Sequence, residues 1–171
     1  MDRLKATIRD VPDFPTPGIL FKDLTPVMAD AALLRAVTDA LAAPYQTAGI
    51  TLVAGMEARG FIFGSLVAAA LNAGFIPLRK PGKLPYRTYQ VGYSLEYGKA
   101  ALEMHIDAVA AQDTVLLVDD LIATGGTAAA SCELITRNGA RIAGCAFVVE
   151  LDFLHGRKLL SAYPVHSLVH Y

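Results

Sequence analysis

Two adjacent aspartates and a glycine-rich turn stand close together in the segment VLLVDDLIATGGT, residues 115–127. Asp119 and Asp120 follow four apolar residues, which predicts that they lie at the end of a buried strand. The turn at residues 124–127 would point successive backbone N–H groups at a helix N-terminus, where the helix dipole also favours an anion. Carboxylates repel a phosphate, but they accept hydrogen bonds from vicinal hydroxyl groups. The pattern therefore predicts a ligand with a phosphate beside a diol, as in ribose 5-phosphate.

Other nucleotide-binding patterns are absent from the sequence. Gly55 and Gly60 have the spacing of a phosphate-binding P-loop, but Phe61 stands where that motif requires lysine. No G-x-G-x-x-G fingerprint occurs either. A nucleotide kinase and a Rossmann dehydrogenase are therefore disfavoured.

Length, charge and cysteine content restrict the class of protein. A chain of 171 residues is long enough for one α/β domain and too short for two ordinary ones. The net charge of -1 gives no electrostatic footprint for a nucleic acid. Two cysteines, Cys132 and Cys145, supply neither a disulfide framework nor a zinc site. Glycine and proline interrupt the apolar run at residues 61–78, so no membrane span is expected. We expect a soluble cytoplasmic protein without nucleic-acid or membrane partners.

Apolar runs alternate with helical patterns along most of the chain. A helix is predicted from the N-cap Asp30 to Leu41, because its apolar positions recur at helical spacing. Further helices are predicted at residues 60–74 and 126–138, and strands at residues 50–55, 75–79, 114–119, 141–151 and 165–169. Strands that alternate with helices predict an α/β fold with a largely parallel, doubly wound sheet.

Two segments depart from this alternation. Residues 10–30 contain four prolines, which excludes one continuous helix or a central strand and predicts a non-helical N-terminal cover. Residues 80–104 are rich in tyrosine, glycine and lysine and predict two irregular strands. A long polar excursion of this kind inside a compact domain is often a functional lid.

The segment VLLVDDLIATGGT resembles the phosphoribosyl pyrophosphate (PRPP) motif of type I phosphoribosyltransferases. The segments DFPTPGILFKDLTPV, GMEARGFIFG, RKPGKLP and SLEYGKAALEMH resemble, in the same order, the adenine-specific branch of that family, across roughly residues 8–151. The resemblance implies transfer of phosphoribose from PRPP to adenine, giving AMP and pyrophosphate. It also implies a single domain with an N-terminal hood at about 1–30 and a mobile lid loop at about 80–104. A homodimer is typical of the family, as is Mg²⁺ carried by PRPP without direct protein ligands.

The resemblance also assigns roles to individual residues. Asp119 and Asp120 would bind the ribose hydroxyls, and the 5-phosphate would lie on Ala123, Thr124, Gly125, Gly126 and Thr127. The pyrophosphate would contact Glu57, Ala58, Arg59, Arg79, Lys80 and Lys83, and similar enzymes often have a cis peptide bond in the turn at 57–59. Adenine would be recognised by backbone groups and stacking at Leu20, Phe21 and Lys22, with Leu121 near its other face. The lid would carry Glu96 and Tyr97.

The chemistry of the transfer agrees with these residue types. Displacing pyrophosphate from the anomeric carbon builds negative charge on the leaving group, which Arg59 can bind bidentately. Glu96 is nominated as the acid or base that handles the proton of the purine imidazole ring. Phe21 has a second interpretation, as a hydrophobic contact that fixes the start of the first predicted helix.

Two alternative functions remain open at this stage. The same transfer could use a 6-oxopurine such as hypoxanthine, guanine or xanthine instead of adenine. A PRPP-sensing regulator would bind without turnover, but it would be expected to carry a nucleic-acid-binding module or a basic face. Neither feature is visible in the sequence.

Overall fold

A computed structural model describes the backbone of residues 1–95 and 98–171 and the side chains of residues 1–93 and 100–171. Its helices are α1 Asp2–Thr7, α2 Thr25–Ala29, α3 Ala31–Ala42, α4 Arg59–Ala70 and α5 Gly126–Thr136. Its strands are β1 Arg9–Pro12, β2 Leu20–Asp23, β3 Leu52–Met56, β4 Gly74–Leu78, β5 Thr88–Leu95, β6 Gly98–His105, β7 Thr114–Ile122, β8 Arg141–Glu150 and β9 Val165–His170. Short 3-10 helices occupy Ala43–Tyr45, Asp152–Leu154 and Gly156–Leu160.

Five parallel strands form the main sheet, in the order β4-β3-β7-β8-β9. The α/β class and the parallel sheet are thus confirmed. Helix α4 connects β3 to β4, and α5 connects β7 to β8 in the opposite direction across the sheet. Because such crossovers are right-handed, reversing their direction places the two helices on opposite faces of the sheet.

The core consists of two layers, one on each face of the sheet. Strand β7 contributes to both layers, because successive side chains of a strand point to opposite faces. Leu116 and Val118 pack with the layer of α3 and α4, whereas Val115 and Leu117 pack with the layer of α5. This explains why residues 115–118 of the strand form an uninterrupted apolar run.

Helix boundaries follow local capping chemistry. The side chain of Asp30 accepts a hydrogen bond from the N–H of Leu33 at 3.0 Å, so the predicted N-cap is confirmed. The helix predicted at residues 60–74 ends four residues earlier than predicted, at Ala70, and Gly74 begins β4 instead. Asn72, two residues after the end of the helix, adopts the left-handed backbone conformation that often follows a helix, with φ of 52°. Asparagine tolerates this conformation better than most residues do.

Residues 10–30 form neither one continuous helix nor a central strand, as predicted, but the cover is not entirely non-helical. The short helix α2 lies within this segment and α1 precedes it. Pro26 lies in the first turn of α2, where the missing N–H of proline costs no helical hydrogen bond. Between these helices, β1 and β2 form an antiparallel pair from Arg9↔Asp23 to Pro12↔Leu20. The predicted hood is thus a two-stranded ribbon between two short helices.

The strands in residues 80–104 are regular, which corrects the prediction of two irregular strands in a lid loop. β5 and β6 pair antiparallel without a register shift, from Thr88↔His105 to Leu95↔Gly98. Val91, Leu102 and Met104 are buried in the same core layer as α5. The base of this hairpin is therefore part of the core. In the described residues no helix combines the length and apolarity needed to cross a membrane.

Candidate active site

The predicted site residues gather where two neighbouring strands end. β3 and β7 are adjacent and parallel, so the turn that follows Met56 lies beside the loop that follows Ile122. The sheet order reverses between these two strands, since β4 lies outside β3 and β8 lies outside β7. Ligands of open α/β sheets bind in the crevice at such a reversal.

A cavity of about 90 Å³ lies at the carboxyl end of β7. Its polar wall is built from residues that the sequence analysis assigned to ribose 5-phosphate, and its apolar wall comes from the core. The lining residues are Asp119, Ala123, Thr124, Gly125 and Thr127, together with Met56, Leu121, Ile122, Ala128 and Phe147. The structure thus brings the predicted phosphate loop, one aspartate and Leu121 together.

The loop ends in an uncapped helix N-terminus. Gly125 is the N-cap of α5 and has φ of 82°, a left-handed conformation that glycine adopts without steric cost. Its carbonyl accepts the hydrogen bond from Ala129 N at 2.9 Å, so the helix starts directly at Gly126. No described side chain caps this end. The first amides of α5 are therefore available to an anion.

Gly156 supports the loop from behind, although it was not among the site residues predicted from the sequence. A Cβ on Gly156 would lie 2.2 Å from Ala123 O and 2.9 Å from Gly125 N. A Cβ on Gly125 would in turn lie 2.3 Å from Gly156 O. The two backbones touch, so both positions require glycine. The sequence LHGRK does contain this glycine, but nothing near it in the sequence indicates a contact with Gly125, which is about 30 residues away along the chain.

The two aspartates have different surroundings. Asp120 is buried at 3% exposure, and its carboxylate accepts a hydrogen bond from the Arg59 guanidinium in an ion pair. Asp119 Oδ1 accepts the backbone N–H of Asp120 at 2.9 Å. A Cβ on Gly60 would lie only 2.5 Å from that oxygen, so glycine allows the start of α4 to approach Asp119.

Burial and the neighbouring Asp120 carboxylate raise the pKa of Asp119 well above its ordinary value. The hydrogen bond from the Asp120 amide and the charge of Arg59 act in the opposite direction but do not offset this effect. In the ligand-free protein Asp119 thus favours its neutral form more than an exposed aspartate does.

Replacing Asp119 by asparagine is expected to stabilise the ligand-free protein at pH 7, by about 1 kcal/mol in the free energy of unfolding. The pKa of Asp119 is higher in the folded than in the unfolded protein, so its ionisation costs stability increasingly as pH rises above the unfolded pKa of about 4. The stabilisation should consequently be smaller at pH 4.5 than at pH 7. Urea unfolding at both pH values measures it. An asparagine variant less stable than the parent at pH 7 would contradict this account.

The turn after β3 carries the predicted cis peptide bond, between Glu57 and Ala58. The Glu57 carboxylate accepts hydrogen bonds from Arg79 Nε at 3.2 Å and from the backbone N–H of Lys80 at 3.0 Å. Burial raises the pKa of Glu57, but these two bonds together with the charges of Arg79 and Lys80 outweigh it and lower the pKa below the ordinary value. Glu57 is therefore an ionised anchor for the next basic segment.

That basic segment, residues 79–83, is fixed through its backbone. Arg79 Nη1 donates to Lys83 O at 3.0 Å, and Gly82 N donates to the buried carboxylate of Glu103 at 3.1 Å. Lys80 and Lys83 are exposed. Arg79 is paired with Glu57, so the lysines are the freer positive charges of this segment.

The N-terminal ribbon β1–β2 approaches Arg59 through Phe21. The guanidinium of Arg59 lies 5.1 Å from the centre of the Phe21 ring, and Phe14 packs edge-on against the same ring at 5.0 Å. Leu20 is 50% exposed beside it. The Lys22 side chain is buried in another contact, with Asp10 Oδ1 at 2.6 Å, so only its backbone can serve the site. Glu96 and Tyr97 lie outside the described residues.

The fold and the site define a class of protein, and comparison with known families agrees with it. Residues 27–168 match the family described as the phosphoribosyl transferase domain. The match begins in α2 and ends in β9, so it includes the cavity and both aspartates. The chain therefore belongs to the phosphoribosyltransferase family.

Individual relatives narrow this class. The adenine phosphoribosyltransferase of Nitrosococcus oceani is 63% identical over 171 residues, which is 100% of both chains. The solved structure of adenine phosphoribosyltransferase from Rhodothermus marinus is 53% identical, covers 99% of this chain and 97% of its own, and superposes with a TM-score of 0.95. The enzyme of that name from Saccharomyces cerevisiae is 41% identical, with a TM-score of 0.92 and coverage of 98% and 97%. It was solved with an imino-altritol bisphosphate and adenine.

Proposed function

We propose that this protein transfers the 5-phosphoribosyl group from PRPP to adenine and releases AMP and pyrophosphate, as an enzyme of purine salvage. The observation that carries the proposal is the cavity at the end of β7, where an uncapped helix N-terminus and Asp119 face one another. Full-length identity of 63% to a named adenine phosphoribosyltransferase supports the choice of base.

The 5-phosphate would bind the loop Ala123–Thr127. Its oxygens would accept hydrogen bonds from the free amides at the start of α5 and from the threonine hydroxyls. The positive end of the helix dipole adds to this attraction. The backbone contact with Gly156 holds the loop in shape before the ligand arrives, so little reorganisation is needed on binding.

The ribose hydroxyls would bind Asp119 and Asp120. Each hydroxyl can donate to a carboxylate, which is a charge-assisted hydrogen bond. Arg59 forms an ion pair with Asp120, and the Arg59 side chain is partly exposed. Once the ribose hydroxyls bind the Asp120 carboxylate, Arg59 would turn towards the leaving pyrophosphate. With phosphate and hydroxyls both held, the anomeric carbon is fixed relative to the base site.

The pyrophosphate would lie against the turn Glu57–Ala58–Arg59 and the basic segment 79–83. Charge on the leaving group grows as its bond to the anomeric carbon breaks, so fixed positive charges stabilise the transition state. Lys80 and Lys83 are the exposed cations, and Arg79 would act together with its partner Glu57.

Mg²⁺ is assigned to the oxygens of PRPP. In the described part of the chain, three ligating side chains come close enough to share an ion only at Glu150, Asp152 and His170. That cluster does not fit a magnesium site, because the Arg157 guanidinium already donates to Glu150 at 2.9 and 2.5 Å. Mg²⁺ keeps several waters and binds readily to substrate phosphates, where it would offset the charge of the leaving group.

Adenine would stack on Phe21 of the hood, with backbone groups of Leu20–Lys22 reading its edge and Leu121 near its other face. Glu96 remains the proposed group for proton transfer at the imidazole ring, and Tyr97 would lie in the same lid. The lid would exclude water, which otherwise competes for the ribosyl cation. A homodimer and a cytoplasmic location stay predictions from the resemblance and from the reduced cysteines.

The purine substrate is tested by supplying adenine, hypoxanthine, guanine and xanthine separately with PRPP and Mg²⁺. Pyrophosphate release is expected with adenine at a kcat/KM at least about a hundredfold above the other bases, because backbone groups that match one purine edge are left unpaired by another. Equal use of a 6-oxopurine would overturn the choice of adenine. PRPP binding without release for any base would favour the regulator instead.

A further inference from the structure

A buried lysine in the hood lies against an aromatic ring from the far end of the chain. The Lys22 side chain is 7% exposed, and its Nζ lies 2.6 Å from Asp10 Oδ1 on the paired strand of the ribbon. The same Nζ lies 3.7 Å from the centre of the Tyr171 ring. An ammonium group has three donors and a full charge, so a ring face in this position compensates part of its lost hydration.

Tyr171 is held rigidly by its backbone. Its N–H donates to Glu150 O at 3.0 Å, and its carbonyl accepts from Asp152 N at 2.9 Å. A second hood lysine, Lys5, lies 4.6 Å from the centre of the same ring and donates to His170 O at 2.7 Å. Tyr171, which follows the edge strand β9, therefore contacts the N-terminal segment through two lysines, Lys5 and Lys22.

The contact between Lys22 and Tyr171 also restricts the position of Phe21, because Lys22 and Phe21 are neighbours in β2. Neighbouring side chains in β2 point to opposite faces, so Lys22 faces Tyr171 while Phe21 faces Phe14 and Arg59. Phe14 and Leu20 are 51% and 50% exposed, so this part of the ribbon has few buried contacts of its own. The position of Phe21 relative to the cavity therefore depends on the contacts that Lys22 makes on the opposite face of the ribbon, with Asp10 and Tyr171.

We propose that Tyr171 is a positioning residue for the purine. It acts through Lys22 to hold Phe21 and the adjacent backbone in place for adenine. The proposal rests on the proposed function, in which this part of the hood binds the base. The proposed PRPP site at the ends of β3 and β7 meets this part of the ribbon through the contact of Phe21 with Arg59. The contribution of Tyr171 should therefore be larger for adenine than for PRPP.

The test compares steady-state kinetics of Tyr171→Leu and Tyr171→Phe with the parent chain. Tyr171→Leu removes the ring face and is expected to raise KM for adenine about tenfold while KM for PRPP stays within about twofold. Tyr171→Phe keeps the ring and loses only the long hydroxyl contact to Lys5 O at 3.4 Å. Tyr171→Phe is therefore expected to keep KM for adenine within about twofold of the parent value.

A double-mutant cycle tests the coupling of the two residues. Lys22→Met should raise KM for adenine by at least a similar factor, because it removes the ion pair with Asp10 as well as the ring contact. Adding Tyr171→Leu to it should add little, since the contact between Lys22 and the ring is already lost. Tyr163→Leu is the matched control, because Tyr163 packs against the core layer of α5. It should lower the melting temperature and leave both KM values unchanged.

Two results would overturn the proposal. One is an unchanged KM for adenine in Tyr171→Leu, and the other is an equal rise in KM for both substrates. If the parent chain did not consume adenine at all, the proposed function would fail instead, so the two failures are distinguishable.

Discussion

Replacing Asp119 and Asp120 together by asparagine is expected to lower kcat/KM by roughly a thousandfold or more, which in practice abolishes turnover. Asparagine keeps the shape of each side chain but loses the charge that strengthens a hydrogen bond from a ribose hydroxyl. Two charge-assisted bonds of about 1.5–3 kcal/mol each account for an effect of this size. Pyrophosphate release with saturating adenine measures it.

A loss of folding must be separated from a loss of chemistry in this variant. Asp119 is destabilising when ionised, so its replacement offsets part of the stability lost with the Arg59–Asp120 ion pair, and Arg59 itself is 42% exposed and stays hydrated. The double variant should therefore still fold and unfold cooperatively with temperature. A double replacement of the exposed Asp39 and Asp107 by asparagine removes the same charge outside the cavity and should retain parent activity. Parent-like activity in the Asp119→Asn, Asp120→Asn double variant would refute the assignment of the ribose site.

Gly156→Ala is expected to raise KM for PRPP about a hundredfold, although residue 156 itself need not touch the substrate. The added Cβ would lie 2.2 Å from Ala123 O, so the loop at residues 123–127, the proposed phosphate site, or the turn at 156 must move. Displacing a positioning loop by about an ångström is enough for an effect of this size. Steady-state kinetics with PRPP as the varied substrate measures it.

Gly125→Ala approaches the same contact from the other side and should act in the same direction, since its Cβ would lie 2.3 Å from Gly156 O at a φ of 82°. Lys158→Ala, an exposed change two residues from Gly156, serves as the control and should leave KM for PRPP unchanged. If Gly156→Ala bound PRPP as tightly as the parent, the backbone contact would have no role in shaping the loop.

The sheet could be predicted from the sequence because its strands are buried on both faces. An apolar run such as that of β7 carries a strong signal without any knowledge of its neighbours. α1 carried no such signal, because it is a short helix that buries only Leu4. The β5–β6 hairpin was misjudged as irregular, since its regularity lies in cross-strand pairing rather than in local composition.

The candidate site was predictable where its residues are contiguous, as in the loop that follows Ile122. It was not predictable where distant segments meet. The ion pair of Arg59 with Asp120, the contact of Gly156 with Gly125 and the burial of Lys22 against Tyr171 all join residues that are far apart along the chain. A glycine in a loop and a lysine in a short strand are common in any sequence, so the contacts of Gly156 and Lys22 could be found only in the folded structure.

The most direct test of the central claim is the stoichiometry of products formed from PRPP, adenine and Mg²⁺ by the parent chain. The transfer predicts equal amounts of AMP and pyrophosphate, with pyrophosphate release close to zero when adenine is omitted. Pyrophosphate released without AMP would show hydrolysis rather than transfer, and bound PRPP that gives neither product would show a binding protein; either result would contradict the assigned function.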